Sequence, residues 1–241
     1  MSKGIECAEC ATSDGKSSSE VIWKVEKSML TTALSTLLFL IFVELVAYYG
    51  FFRTIPNFFP KYGYYILFLI VAIVSNAMAL WHCRAYQHIF SCTTGMMVGM
   101  TIGMSAGFSI GMLVGATNGM FIGSAAGIII GMLAGSYAGN CCGVMGIMEG
   151  MMAGLMGGLM GAMTSVMTIN DRVIFMIPLL TISMLIILIG LMVMVYQEEI
   201  RKKPDVHRKI FTFLPFITVN FIILIAITFL MVYGPRSLLF S

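Results

Sequence analysis

Two adjacent cysteines, Cys141 and Cys142, stand just ahead of a run of methionines spaced three or four residues apart: Met145, Met148, Met152, Met156, Met160, Met163 and Met167. One carboxylate, Glu149, falls among them. Thioether and thiolate sulfurs are soft donors that select Cu(I) over harder ions. On a helix turning about 100° per residue, the methionines and Glu149 share a stripe about 120° wide. Gly146, Gly150, Gly154, Gly157, Gly158 and Gly161 take the opposite side. From Met145 to Met167 such a helix rises about 33 Å, close to the thickness of a bilayer's hydrocarbon layer. A soft monovalent cation would find the next thioether within one turn at every step. Glu149 would lower the cost of a positive charge near one end, and an intramembrane carboxylate is itself a functional signal. Cys141 and Cys142, just beyond that end, would take up or supply the ion. The competing reading is packing, because methionine is flexible, polarizable and fills irregular gaps.

Other candidates are weaker. Cys7 and Cys10, in CAEC, have the two-residue spacing that lets two thiolates clasp one ion. His88 and Cys92 lie one turn apart if that segment is helical, and Glu44 is a second acidic residue inside an apolar run. A channel for a hard cation lined by Glu44 and Glu149 is a further reading; it would not depend on sulfur.

Such residues need a scaffold, and the composition says which kind. Of 241 residues 59 % are hydrophobic and 10 % charged, whereas soluble domains carry about 25 % charge. Continuous apolar runs recur without strand-like alternation, which predicts an all-α, polytopic helical membrane protein in contact with the lipid bilayer. The net charge of +3 is scattered, and no basic helix with interleaved aromatics argues for nucleic acid. No HExxH, GxSxG, P-loop or dinucleotide fingerprint occurs in a suitable setting, so the expectation is a non-enzyme.

The chain divides into a flexible tail with its CxxC (1–28), two helices and a loop (29–92), a Gly/Met-rich block (93–168) and two last helices (169–241). Seven spans are expected, near 29–51, 63–82, 93–116, 119–138, 143–168, 173–196 and 210–233. FFRTIPNFFPKYG reads as an interfacial turn, and Pro178 and Pro215 lie near span starts, where a missing N–H does little harm. From Gly95 to Gly143 every fourth residue is glycine; after one step of three, Gly146, Gly150, Gly154 and Gly158 resume the pattern. Small residues four apart let helix backbones approach closely in lipid, so the block should be a glycine-zipper three-helix unit. A period of four, longer than 3.6, favours right-handed crossing.

Lys and Arg set the orientation. With the N-terminus inside, ten fall on the inner side and four on the outer, which supports seven spans in a cytoplasmic or plasma membrane, N-terminus cytoplasmic and C-terminus outside. The six cysteines then collect on or near the cytoplasmic face, where thiols stay reduced.

MMAGLMGGLMGAM, residues 151–163, resembles the eukaryotic high-affinity copper-uptake transporters in its methionine spacing and GxxxG face. The vicinal pair Cys141 and Cys142 looks like the bacterial mercury-uptake proteins. Each likeness covers a small part of the chain, and those copper transporters have three spans per chain. The functional expectation is a transporter or channel for a soft metal ion, Cu(I), moving along the Met/Glu face of the fifth span to or from cytoplasmic thiols. A metallochaperone or a second copy of the chain would be its partner. The alternative is a non-catalytic assembly subunit of a membrane complex, packing through its glycines.

Overall fold

The computed structural model describes residues 35, 37, 38, 58–85, 92–168, 173–195 and 213–234. They are almost wholly α-helical. In chain order the helices are α1 (Phe58–Ala85), α2 (Cys92–Asn118), α3 (Met120–Gly139), α4 (Gly143–Met167), α5 (Val173–Val195) and α6 (Phe213–Tyr233). A single 3-10 turn, Asn140–Cys142, links α3 to α4. Four stretches are long and apolar enough to cross a membrane: Gly63–Arg84, Cys92–Asn118, Met120–Met167 and Ile174–Val195; the third is folded back on itself. The expected span 29–51 lies outside the described residues apart from three positions.

The predicted ends are close, with two corrections. The segment read as an interfacial turn up to residue 63 is already helical from Phe58. Its Pro60 sits in the first turn, where the amide hydrogen has no helical acceptor, so proline does not delay the start. Pro178 is not harmless by position: it lies past the first turn of α5 and deprives the Ile174 carbonyl of its helical donor. The Tyr64 hydroxyl of α1 donates to that carbonyl instead, at 2.5 Å.

The three glycine-bearing helices are held in a strict register. Gly103, Gly135 and Gly150 meet at one level, Gly107, Gly131 and Gly154 at the next, and Gly111, Gly127 and Gly158 at the third. Gly99 meets Gly139, and Gly139 meets Gly146, at one end; Gly115 meets Gly123 and Ala162 at the other. Thus α2 and α4 run parallel with α3 antiparallel between them, one level every four residues, about 6 Å. A β-carbon on Gly107 would lie 2.7 Å from the Gly154 carbonyl oxygen, and one on Gly131 would lie 2.8 Å from the Gly107 Cα. Only hydrogen fits there. Every buried residue of α3 is glycine, and those of α4 are glycine, alanine or serine. Lipid offers no hydrophobic drive, so the contact rests on dispersion and Cα–H···O approaches between backbones.

The two turns explain the spacing. Between α2 and α3 stands Gly119 alone, at φ +91°, and the four-residue rhythm passes through it unbroken. Between α3 and α4 the chain reverses through Asn140–Cys142 and Gly143, at φ +67°. The one step of three falls just after this turn and brings Gly146 opposite Gly139.

On its other side α2 joins a conventional core. Phe108, Ile110 and Leu113 pack with Ile66, Leu69 and Ile73 of α1, Ile177 of α5, and Leu224 and Met231 of α6. Ser105 donates to Asn76 of α1 at 2.6 Å, and Asn118 reaches the Leu230 carbonyl of α6 at 3.2 Å. α2 is therefore the shared wall between a glycine block and an aliphatic bundle.

Candidate functional site

The register decides where the sulfurs go. With the glycines of α4 turned towards α2 and α3, the opposite stripe must face away, and it does. Met145, Met148, Met152, Met156, Met160, Met163 and Met167 are between 43 % and 71 % exposed. Glu149 is half-buried on the same helix. The expected separation into a smooth face and a sulfur face is present. Among the described residues nothing encloses the sulfur face, however, so a path along it needs a further wall. The exposed side chains of α2 extend this surface: Met97, Met100 and Met104 are outward-facing too. The Met104 backbone lies against Gly157 of α4, so the two sets adjoin. The sequence does not single out these three; the signal for Met100 and Met104 is that each follows a glycine, Gly99 or Gly103, of the four-residue repeat.

The cysteines behave differently: they converge. Cys141 and Cys142 lie in the α3–α4 turn, and Cys92 is the first residue of α2. The Cys142 thiol donates to the Cys92 carbonyl at 2.7 Å, and its sulfur lies with that of Cys141 against Gly95. Cys141 donates to the Ala138 carbonyl at 3.7 Å. Cys83, near the end of α1, is buried close behind Cys141. Cys92 is exposed, and Cys141 and Cys142 are partly so. None of the four is in a disulfide. The register brings these residues together, because the start of α2 and the α3–α4 turn are the same end of the glycine block. The sequence pairs Cys92 only with His88 and does not single out Cys83, since both lie far along the chain from the vicinal pair.

Arg84 marks the same end. Its guanidinium lies 3.6 Å over the Tyr137 ring and donates to the Tyr137 carbonyl at 3.2 Å. It ties α1 to α3 at this end of the block. Cys7, Cys10, Glu44, His88 and His207 lie outside the described residues. Among the described residues, no three of His, Cys, Asp and Glu are set to hold a metal ion together.

Comparison of the chain with known protein families, with curated proteins and with solved structures finds no match.

Proposed function

We propose that the protein is a membrane transporter or channel for a soft metal ion, Cu(I), that exchanges the ion between thiols at one end of the glycine block and the thioether face of α4. The observation that carries this reading is the meeting of Cys92, Cys141 and Cys142 at the end where the methionine row begins. Met145 follows the turn by one short step, with Met148 and Glu149 in the next helical turn. Soft donors thus run from the block's end along its outer face without a gap longer than one turn. Because the row faces outward, a second copy of the chain or a partner helix supplies the other wall. In the seven-span reading, with its glycine-zipper centre, the thiol end is cytoplasmic and the row leads outward. A negative interior then favours cation entry by about 2.3 kcal/mol per charge per 100 mV.

Copper accumulation in cells expressing the chain tests this reading. The wild-type chain is expected to change copper uptake and copper-dependent growth, and replacement of Met152 and Met156 by Leu with Glu149 by Gln is expected to abolish the change. Unaltered copper behaviour in that variant would remove the reading.

A second reading is favoured by one observation: among the described residues α4 packs mainly on α2 and α3, which leaves a long exposed face of adaptable methionines. In an assembly subunit this face, and not the glycines, would meet the partner, because the glycines are already filled by one another. Met→Leu changes in the row would then leave copper uptake untouched and alter only co-purification of the partner.

A further inference from the structure

Gly95 differs from the other glycines packed inside the block. At each of those, from Gly99 to Gly161, an added β-carbon would run into backbone, or at Gly115 into backbone and a serine hydroxyl. At Gly95 it would meet two sulfurs, Cys141 Sγ at 2.5 Å and Cys142 Sγ at 2.7 Å. The first turn of α2 therefore lies directly against the two thiols of the α3–α4 turn, with the exposed Cys92 beside it.

We infer that Cys92 and Cys142, one from the start of α2 and the other from the α3–α4 turn, form a two-thiolate site for the soft ion, with Cys141 as the third sulfur that hands it on. This rests on the soft-ion reading above and names the ligands of its entry site. Sequence alone points to the vicinal pair, and both of its sulfurs do lie against Gly95. They differ in what they reach: the Cys141 thiol turns towards the Ala138 carbonyl at 3.7 Å, whereas the Cys142 thiol crosses to α2 and donates to the Cys92 carbonyl at 2.7 Å.

The chemistry balances without a redox step. Two thiols lose their protons to water as Cu(I) binds, giving a bis-thiolate complex with one net negative charge and two released protons. A closed-shell monovalent soft ion is satisfied by two thiolates in line, so no tetrahedral cage is required. Cys92, being exposed, is where a donor molecule would first deliver the ion. Transfer to Cys141 is exchange of one thiolate ligand for another, and Met145 follows just beyond the α3–α4 turn.

The test is anaerobic titration of the full-length, detergent-solubilised chain with Cu(I) against a chromophoric Cu(I) chelator, with X-ray absorption at the copper edge on the loaded protein. Replacement of Cys7 and Cys10 by Ser provides the background and isolates the bundle sites. In that background Cys92→Ser and Cys142→Ser are each expected to weaken binding at least tenfold and to replace a sulfur neighbour of copper by a lighter atom. Gly95→Leu, which keeps every cysteine but pushes the Cys141 and Cys142 sulfurs aside, is expected to weaken binding as much. Retained circular dichroism and elution volume show that each variant is folded, and Cys141→Ser reports on the vicinal pair. Strong loss in Cys141→Ser and Cys142→Ser with none in Cys92→Ser would overturn the cross-helix site and leave the soft-ion reading standing. No Cu(I) binding by the unaltered chain would remove that reading itself.

Discussion

The outer faces of α4 and α5 both look away from the rest of the chain, yet they are built from different side chains. On α5 the exposed positions are Ile174, Phe175, Leu179, Ile182, Ile186 and Ile189, among others of the same kind, while its methionines Met176, Met184, Met192 and Met194 are half-buried. On α4 the arrangement is inverted: methionine holds the exposed stripe and small residues the buried one. α6 follows α5, with Ile222, Ile225 and Phe229 outermost. If methionine were only filling space, it would sit where α5 puts it, against neighbours. The comparison teaches that one chain uses two outward surfaces, an aliphatic one suited to acyl chains and a sulfur one that calls for a ligand or a partner.

The largest effect is expected from spoiling what forces the sulfur face outward. Gly150→Leu drives a side chain into the Gly135 carbonyl and backbone. Overpacking usually costs about 1–3 kcal/mol, and backbone has less room to yield than a side chain, so a loss of about 3 kcal/mol or more is expected. Gly190→Leu in α5 is the matched control, because an added β-carbon there meets nothing within 4 Å. Thermal unfolding in detergent should show the first variant failing to accumulate as folded protein and the second unchanged or slightly stabilised. Equal effects would mean that the glycine register is not what holds the block.

A smaller effect is expected at the proline of α5. Tyr64→Phe removes the hydroxyl that satisfies the Ile174 carbonyl and should cost about 1 kcal/mol, seen as a lower unfolding temperature. The aliphatic bundle would loosen while the glycine block stays intact. Gly143→Ala should cost about 1–2 kcal/mol although the site is spacious, since φ +67° disfavours any β-carbon. Smallest of all, replacing the outward methionines of α4 by leucine should change stability by no more than about 0.5 kcal/mol per site, because exposed, volume-conserving changes disturb little.

Much of this was legible in the sequence, for a physical reason in each case. The glycine period gave the three-helix block because a residue without a side chain can only be placed for close approach. The helical wheel then put Met145 to Met167 opposite, since two stripes on one helix cannot share a side. The turn at Asn140–Cys142 was signalled by its polar interruption, and the step of three beside it proved to be its phase correction. What the sequence could not convey was register between helices. Cys92 lies beside Cys142 only because α2 and α4 run parallel at a fixed offset, and nothing local in either segment encodes that offset. Nor could a single helix reveal that its sulfur face would find no wall among the described residues. Tyr64 as the partner of the carbonyl freed by Pro178 is a third case, a contact between residues 110 positions apart.

The claim that the outward sulfur face of α4 is there for a soft ion is tested most directly by metal analysis of the purified chain, beside a version in which Met145, Met148, Met152, Met156, Met160, Met163 and Met167 are all leucine. Both are loaded with Cu(I) under the same reducing conditions. The account predicts that the leucine version folds with unchanged helical content and keeps only the copper held by its thiols, losing the remainder. Equal copper in the two proteins would contradict it.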